Sequence, residues 1–437
     1  MVDAKRSAAF VTVLAFALLW AGWATADMII ELRNGERIVL PVNATDIERI
    51  TFGNGEKGRP SSEASAPALP KAGAVSTGQQ VILVGPGRLY RLPSEAAKIA
   101  RDGDIVEIDA GVYAGDAAVW RQNNLVIRGA KDGRTRLDAQ GAEAEGKAIW
   151  VIKGNDVTVE NVEFSGARVP DRNGAGIRFE GANLTIRGCK FYDNETGILT
   201  GHNEASDILV ERSEFTRNGY GDGYSHNLYI GRVRSFTLRY SYVHHAKVGH
   251  NVKSRAQNNF ILYNRLMDEA TGNSSYIVDL PDGGVAYLIG NLIQQGRLTE
   301  NWAAVSFAAE GENHPVHALY VVNNTFVNHR SSGVFIDNRS RAPARVYNNI
   351  FVGAGTVLKG PGERAGNLVG VDPGFVDAAH YDYRLTARSP AIDAGIELET
   401  VDGVSLVPTE QYVHPLGSEP RTAHGPIDVG AYEYSGP

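Results

Sequence analysis

The sequence predicts an all-β chain wound as a parallel β-helix, a solenoid of short strands. Three observations carry this. A strand phrase returns along the chain: apolar-x-apolar, a small or polar residue two places on, then a closing apolar residue. It reads DVTVENVEF from Asp156, NLTIRGCKF from Asn183, DILVERSEF from Asp207 and SFTLRYSYV from Ser235. It continues as NFILYNRLM from Asn259, VAYLIGNLI from Val285, ALYVVNNTF from Ala318 and ARVYNNIFV from Ala344. Anchored on Val159, Ile186, Val210, Leu238, Leu262, Leu288, Val321 and Val346, its steps are 27, 24, 28, 24, 26, 33 and 25 residues. A period of roughly 20–50 residues with one supersecondary unit each signals a solenoid. Second, the phrases AGIRF, TGILT, HNLYI, HNVKS, YIVDL, AVSFA and GVFID keep the same rhythm. Their inward column is Ile177, Ile198, Leu228, Val252, Ile277, Val305 and Val334. Third, no long helix pattern follows Asp104, and strands without intervening helices fit a parallel β-helix.

In chain order, Lys5 and Arg6 precede an apolar run from Ala8 to Trp23, followed by Ala24-Thr25-Ala26. This is the order of a secretory signal, which assigns residues 1–26 to export and a mature start to Asp27. It predicts a periplasmic or extracellular protein with no membrane association after cleavage. Residues 27–53 read as a small β-hairpin unit, with Asn34-Gly35 as its turn. Residues 54–78 are rich in Gly, Pro, Ser and Ala and read as a flexible linker. Residues 79–437 form the β-helix domain. Leu92 to Arg101 has an amphipathic helical pattern, with Ser94 as its N-cap. Asn161, Asn264, Asn323 and Asn348 recur at the turn of the strand phrase, where asparagine tolerates a left-handed backbone and bonds its stacked neighbour.

Composition narrows the function. The net charge is −7, which argues against a nucleic-acid partner. The 43% hydrophobic content is too high for a disordered chain. The 49 glycines fit repeated tight turns. Cys189 is the sole cysteine, so an internal disulfide and a multi-cysteine zinc site are excluded, and its strand position reads as packing.

GDIVEIDAGVY at Gly103–Tyr113, DYRLTARSPAIDAG at Asp382–Gly395 and PIDVGAYEY at Pro426–Tyr434 add a resemblance. The first resembles the opening coil of the pectate-lyase-like superfamily of right-handed parallel β-helices, which a short capping helix usually precedes. The other two resemble a closing segment of its secreted bacterial members. The resemblance covers about residues 81–434. It implies a right-handed β-helix with a short N-terminal capping helix. Members include pectate, alginate and chondroitin lyases, mannuronan C5-epimerases, glycoside hydrolases and non-enzymatic surface proteins, so activity must be argued from a site.

One patch stands out. HNLYIGR starts at His226 and HNVKSRA at His250, 24 residues or one coil apart. His226 then stacks over His250, Asn227 over Asn251 and Tyr229 over Lys253, with Gly231 leaving space beside Arg255. Other coils place Gly176, Gly197, Ala304 or Gly333 there. Tyr276 joins from the next coil, and His244 and His245 from the preceding turn. Ser254 and Asp279 fall on the inward side, as supports or as plain core positions. Convergent titratable groups mark a site.

The residue types suit proton abstraction beside a carboxylate, as in a uronate polymer. Arg255 offers a fork for the carboxylate. Lys253 serves as base, with its pKa lowered by like charge from Arg255; His226 or His250 is the alternative base or acid. Tyr229 reprotonates C5 or donates to the leaving oxygen. Asn227, Asn251, His244, His245 and Tyr276 are the substrate-binding candidates. Elimination makes a lyase, reprotonation from the opposite face an epimerase, and the same groove without chemistry a glycan-binding or surface protein; the partner in each case is an acidic polysaccharide. HNVKSR from His250, followed by NNFILYN, also resembles a coil of mannuronan C5-epimerases, which implies the carboxylate-neutralising role for Arg255. The Asp-Pro-His motif of those enzymes is missing, and Tyr224-Ser225-His226 stands in its neighbourhood. A hydrolase needs two opposed carboxylates, and only Asp222 and Asp279 lie near. A calcium site needs several converging oxygens, which this stretch does not supply, so no metal or cofactor is expected.

Overall fold

The computed structural model describes Asp27–Glu31, Arg37–Pro41 and residues 79–436. The export signal over 1–26, the Asn34-Gly35 turn and the linker over 54–78 lie outside the described residues. The chain divides into two units between Glu63 and Ala64. In the first, Asp27–Glu31 pairs antiparallel with Arg37–Pro41, Ile29 facing Val39.

In the second unit, strand Val81–Val84 is followed by helix α1 (Pro93–Ile99). Proline at the first helical position has its φ preset and no N–H to leave unpaired. The flanking residue is Leu92, and Glu95 Oε2 reaches back to the backbone N–H groups of Leu92 (3.2 Å) and Arg91 (2.6 Å). Ser94 is therefore inside the helix rather than its cap; its N–H donates to Asp116.

The strands wind in triplets into three parallel sheets. The first face has 12 strands, from Val81–Val84 to Gly362–Ala365. The second has 11, from Gly111–Ala114 to Leu368–Val369, and the third 10, from Ala118–Trp120 to Thr356–Lys359. Alternation fills the interior: Val157 and Val159 are buried while Thr158 and Glu160 look outward. Stacked Phe164, Phe191 and Phe215 run down the core with ring centroids 5.0 and 4.7 Å apart.

Pairing corrects the predicted columns at three places. On the first face the column runs Val159, Ile186, Val210, Leu238, Ile261, Leu288, Val321 and Val346. Ile261 takes the place expected for Leu262, because a run of apolar residues does not itself announce its register. On the third face it runs Ile177, Ile198, Leu228, Val252, Val278, Val305 and Ile336. Val278 replaces Ile277, and Ile336 replaces Val334. The one-residue slip at Ile277 matters most, since it turns the neighbouring side chains to the other side.

The turn asparagines belong to two columns. Asn161, Asn323 and Asn348 have left-handed backbones (φ 55°, 51° and 55°). Asn264 is one step further along, in a buried ladder through Asn291, Asn324, Asn349 and Asn367 in which each side-chain amide donates to the next.

The C-terminal segment packs back over the outside. Leu398, Val401, Val404 and Leu406 cover Tyr240, Phe260, Tyr287 and Tyr320 on the first face. Tyr383, Tyr412 and Tyr432 cover Tyr242, Met267 and Leu292 on the second. The outer side of the third face carries instead a register of Leu199, Tyr229, Lys253, Asp279, Ser306, Asp337 and Lys359.

Candidate active site

Tyr229, Lys253 and Asp279 sit side by side on three successive strands of the third face, spaced by the ~4.8 Å of a sheet. Asp279 therefore faces outward beside Lys253, not inward as the slipped register placed it. Ser254 is the inward one, paired with Ile230 and buried. Lys253 Nζ lies 3.5 Å from Asp279 Oδ2 and 3.5 Å from Glu310 Oε1. The like-charge setting expected from Arg255 is thus replaced by two facing carboxylates. Asp279 is almost wholly buried, and burial pushes its carboxyl above the usual carboxylate range against the pull of Lys253. Its Oδ1 has no hydrogen-bond partner.

Arg255 follows its strand and points along the same outer surface. Its Nε donates to the Tyr229 hydroxyl (3.0 Å), Nη1 to Asp282 (2.5 Å) and Nη2 to Glu310 (2.6 Å). Asp282 has a fully buried side chain and also accepts from Arg232 at 2.7 Å. Burial alone would raise its carboxyl, but the Arg232 and Arg255 contacts hold it below the usual range. Because the Tyr229 oxygen accepts from Arg255, its own O–H is free to donate elsewhere. Gly231 does not make room for the arginine: a Cβ there would come within 2.4 Å of the Gly201 carbonyl oxygen, so the glycine serves backbone packing.

The histidines stack as expected, but with another chemistry. The rings of His226 and His250 lie 4.6 Å apart and nearly parallel, and Tyr276 follows His250 at 5.2 Å. His226 Nδ1 accepts the N–H of His250 (2.9 Å), and His250 Nδ1 accepts the N–H of Tyr276 (3.1 Å). Gly249 permits this approach, since a Cβ there would strike the Ser225 carbonyl at 1.8 Å. Burial keeps both rings neutral: His226 falls well below the usual histidine range, and His250 to about 3. With Nδ1 occupied by a donor, the single proton must sit on Nε2. Both rings therefore present an N–H and neither is poised as a base. His250 Nε2 lies 3.4 Å from Asp279 Oδ2.

Asn227 and Asn251 do not line the groove. Both are fully buried, and Asn227 Nδ2 donates to Asn251 Oδ1 (2.8 Å) while Asn251 Nδ2 donates to buried Asp268 (3.0 Å). They hold the turn that carries the two histidines. His244 and His245 belong to the second-face side of that turn: His244 contacts Glu214 and Thr216, and His245 contacts Thr271. Neither joins the Tyr229–Lys253 row. Asp222 lies in the exposed turn before Tyr224 and takes no part in it. Cys189 is buried, and burial pushes its thiol up to about 12.

Glu310, Asp282 and Asn313 escaped the sequence reading. Residues 308–317 connect Ala303–Phe307 to Ala318–Val322 and account for the long 33-residue step. That step was the available signal for Glu310 and Asn313; Asp282 lies in the preceding coil. Among the described residues, no group of three or more His, Cys, Asp or Glu is arranged to hold a metal ion.

Comparison with known proteins bears on the fold. Residues 111–293 match the family model described as "Right handed beta helix region". The crystal structure of pectate lyase Pel9A superposes with a TM-score of 0.59 at 14% identity, spanning 83% of this chain and 98% of that one. The structure of the PL6 family alginate lyase AlyGC gives a TM-score of 0.36 at 16% identity, over 78% of this chain and 47% of that one. No curated protein sequence matches the chain. The fold is a right-handed parallel β-helix, shared with that pectate lyase structure.

Proposed function

We propose that the chain is an exported polysaccharide-active protein whose third face binds a uronate-containing polymer and cleaves it by β-elimination. The observation that carries this is the row Tyr229–Lys253 with Arg255 beside it, which supplies a proton acceptor, a proton donor and a guanidinium on one face outside the C-terminal cover. Lys253 Nζ takes the C5 proton. The C5–H electron pair becomes the C4=C5 double bond, the C4–O4 bond breaks, and O4 takes the proton of Tyr229. The phenolate left behind is met by Arg255 Nε. Arg255 is the donor for negative charge developing on the carboxylate, with the buried rings of His226 and His250 behind the row. Support for polysaccharide as substrate also comes from the pectate lyase that shares the fold.

The position of acid and base favours a lyase over an epimerase. Lys253 and Tyr229 are adjacent on one sheet and approach the sugar from the same side, whereas epimerisation needs a proton delivered to the opposite face. Same-side chemistry suits uronates with H5 and O4 on one side of the ring, such as glucuronate and mannuronate, over galacturonate and guluronate. The test is a panel of polymers of these four sugars, followed by ultraviolet absorbance. Cleavage creates a conjugated unsaturated uronate, so absorbance should rise first with glucuronate or mannuronate polymers. Proton exchange at C5 without an absorbance rise would make the protein an epimerase, and neither signal with any polymer would remove the enzyme reading. Export is tested separately: secreted material should begin at Asp27.

A further inference from the structure

Arg255 has two carboxylate partners of opposite character. Asp282 is fully buried and is held by Arg232, Arg255 and Asn313. Glu310 is half exposed, with one oxygen 2.6 Å from Arg255 Nη2 and the other 3.5 Å from Lys253 Nζ. An exposed ion pair of this kind is weak. The loop that carries Glu310 is fastened without its carboxylate. Glu310 N–H donates to the Pro281 carbonyl, Asn313 N–H to the Asp282 carbonyl, and His314 Nε2 lies 3.1 Å from the Arg255 carbonyl oxygen. Rotation of one side chain therefore suffices to vacate the place between Lys253 and Arg255.

We infer that Glu310 is a built-in stand-in for the substrate: its carboxylate fills the carboxylate subsite between Lys253 and Arg255 in the empty groove, and a uronate displaces it. This rests on the uronate reading above. The exchange replaces one carboxylate by another, so the negative charge facing Lys253 and Arg255 is unchanged. A neutral sugar offers no replacement, so Glu310 stays in place against it. Glu310 thus acts as a specificity-determining residue. The unusual length of the coil that holds it has a purpose under this reading: it brings a tethered carboxylate over a site built two coils earlier.

Glu310→Ala and Glu310→Gln test this with glucuronate and glucose as probes, titrated by calorimetry or NMR. Glucuronate should bind about 3–10-fold more tightly to Glu310→Ala, the scale of two weak exposed ion contacts removed as competitors. Glu310→Gln should fall between, glucose affinity should not move, and the melting temperature should stay near that of the unaltered chain. Where a polymer is turned over, its KM should fall in the same order. Unchanged or weaker glucuronate binding in Glu310→Ala overturns the inference, as does a 100-fold fall in kcat at constant KM, which would make Glu310 a catalytic group. The two readings fail separately. Tighter glucuronate binding without turnover of any polymer removes the lyase and leaves the stand-in; turnover with no shift in KM or affinity removes the stand-in and leaves the lyase. No glucuronate binding by either form, with no turnover, overturns both.

Discussion

The outer sides of the first and third faces repeat the same geometry to different ends. On the first, Phe260, Tyr287 and Tyr320 stack at 5.2 and 4.9 Å and lie beneath the C-terminal segment. On the third, His226 and His250 stack at 4.6 Å beside the row Tyr229–Lys253–Asp279, outside that hydrophobic cover. Register alone makes both stacks, because a parallel solenoid lays equivalent residues over one another. The difference lies in what the next layer of chain consumes. Under the C-terminal segment the outward side chains become a second core. On the third face they keep donors and acceptors with work left to do.

The largest break in this contrast is Lys253→Met. It should lower turnover of the responsive polymer by about 10²–10⁴-fold, the range for loss of a general base, with the far-ultraviolet circular dichroism unchanged. Undiminished turnover would show the third face to be as inert as the first. Lys253 and Arg255 each partner a buried carboxylate, Asp279 and Asp282, so the urea midpoint of the variant is measured beside its turnover. Deleting Arg255 leaves buried Asp282 short of a partner, and breaking a buried pair typically costs ~3–5 kcal/mol.

Next in size is the register itself. Ile261→Ala should destabilise by ~2–5 kcal/mol in urea unfolding, as for an aliphatic side chain deleted from a close-packed interior. Leu262→Ala should cost less, since Leu262 packs only partly buried at the outer cluster. If Leu262→Ala proves the costlier, the interior column is the one expected from sequence.

The Asn324 amide sharpens the comparison from the inside. Asn324→Ala removes a donor to Asn349 and to the Leu288 carbonyl and leaves buried groups unpaired. A loss of ~1–3 kcal/mol is expected, measured as a shift in the urea midpoint.

The smallest effect is a slope with pH. Folded His250 has its pKa depressed to about 3, whereas the unfolded chain protonates near ~6.5. Between these values the unfolded state holds more protons, so stability is fully present above the window and falls as pH drops through it. The slope is at most ~1.4 kcal/mol per pH unit for this ring. Urea midpoints at pH 7, 6 and 5 should converge less steeply in His250→Gln than in the unaltered chain. Parallel slopes would mean that His250 is charged when folded.

Much of the scaffold was legible because burial imposes strict rhythm on Val159, Ile186 and Val210, and on Ile177, Ile198 and Leu228. Legibility ended where several apolar residues run together. In NNFILYN both Ile261 and Leu262 satisfy an apolar column, and only packing against the returning C-terminal segment decides between them. In YIVDL the same ambiguity between Ile277 and Val278 hid Asp279 on the wrong side. At the site, the stack of His226 on His250 and of Tyr229 on Lys253 followed from the 24-residue step. The ionic partners of Arg255 did not, because Asp282 and Glu310 arrive from later coils. Nor did the tautomer of the histidines, which depends on backbone N–H groups that no residue type announces.

The C-terminal segment has a consequence for how the molecule comes apart. Stacked coils contact only their neighbours, so a bare solenoid frays from its ends one unit at a time. Here Leu416 takes a hydrogen bond from Arg212, Asp428 from Asn323, and Ile396 from Asn348. A strap fastened at such distant points makes the coils between them share one fate. They must open together or keep the strap, whereas among the described residues the coils before Arg212 have no such strap contact. Melting should therefore begin at the N-terminal end of the stack and finish as a single cooperative step through the strapped coils, the block that carries His226, Lys253 and Arg255.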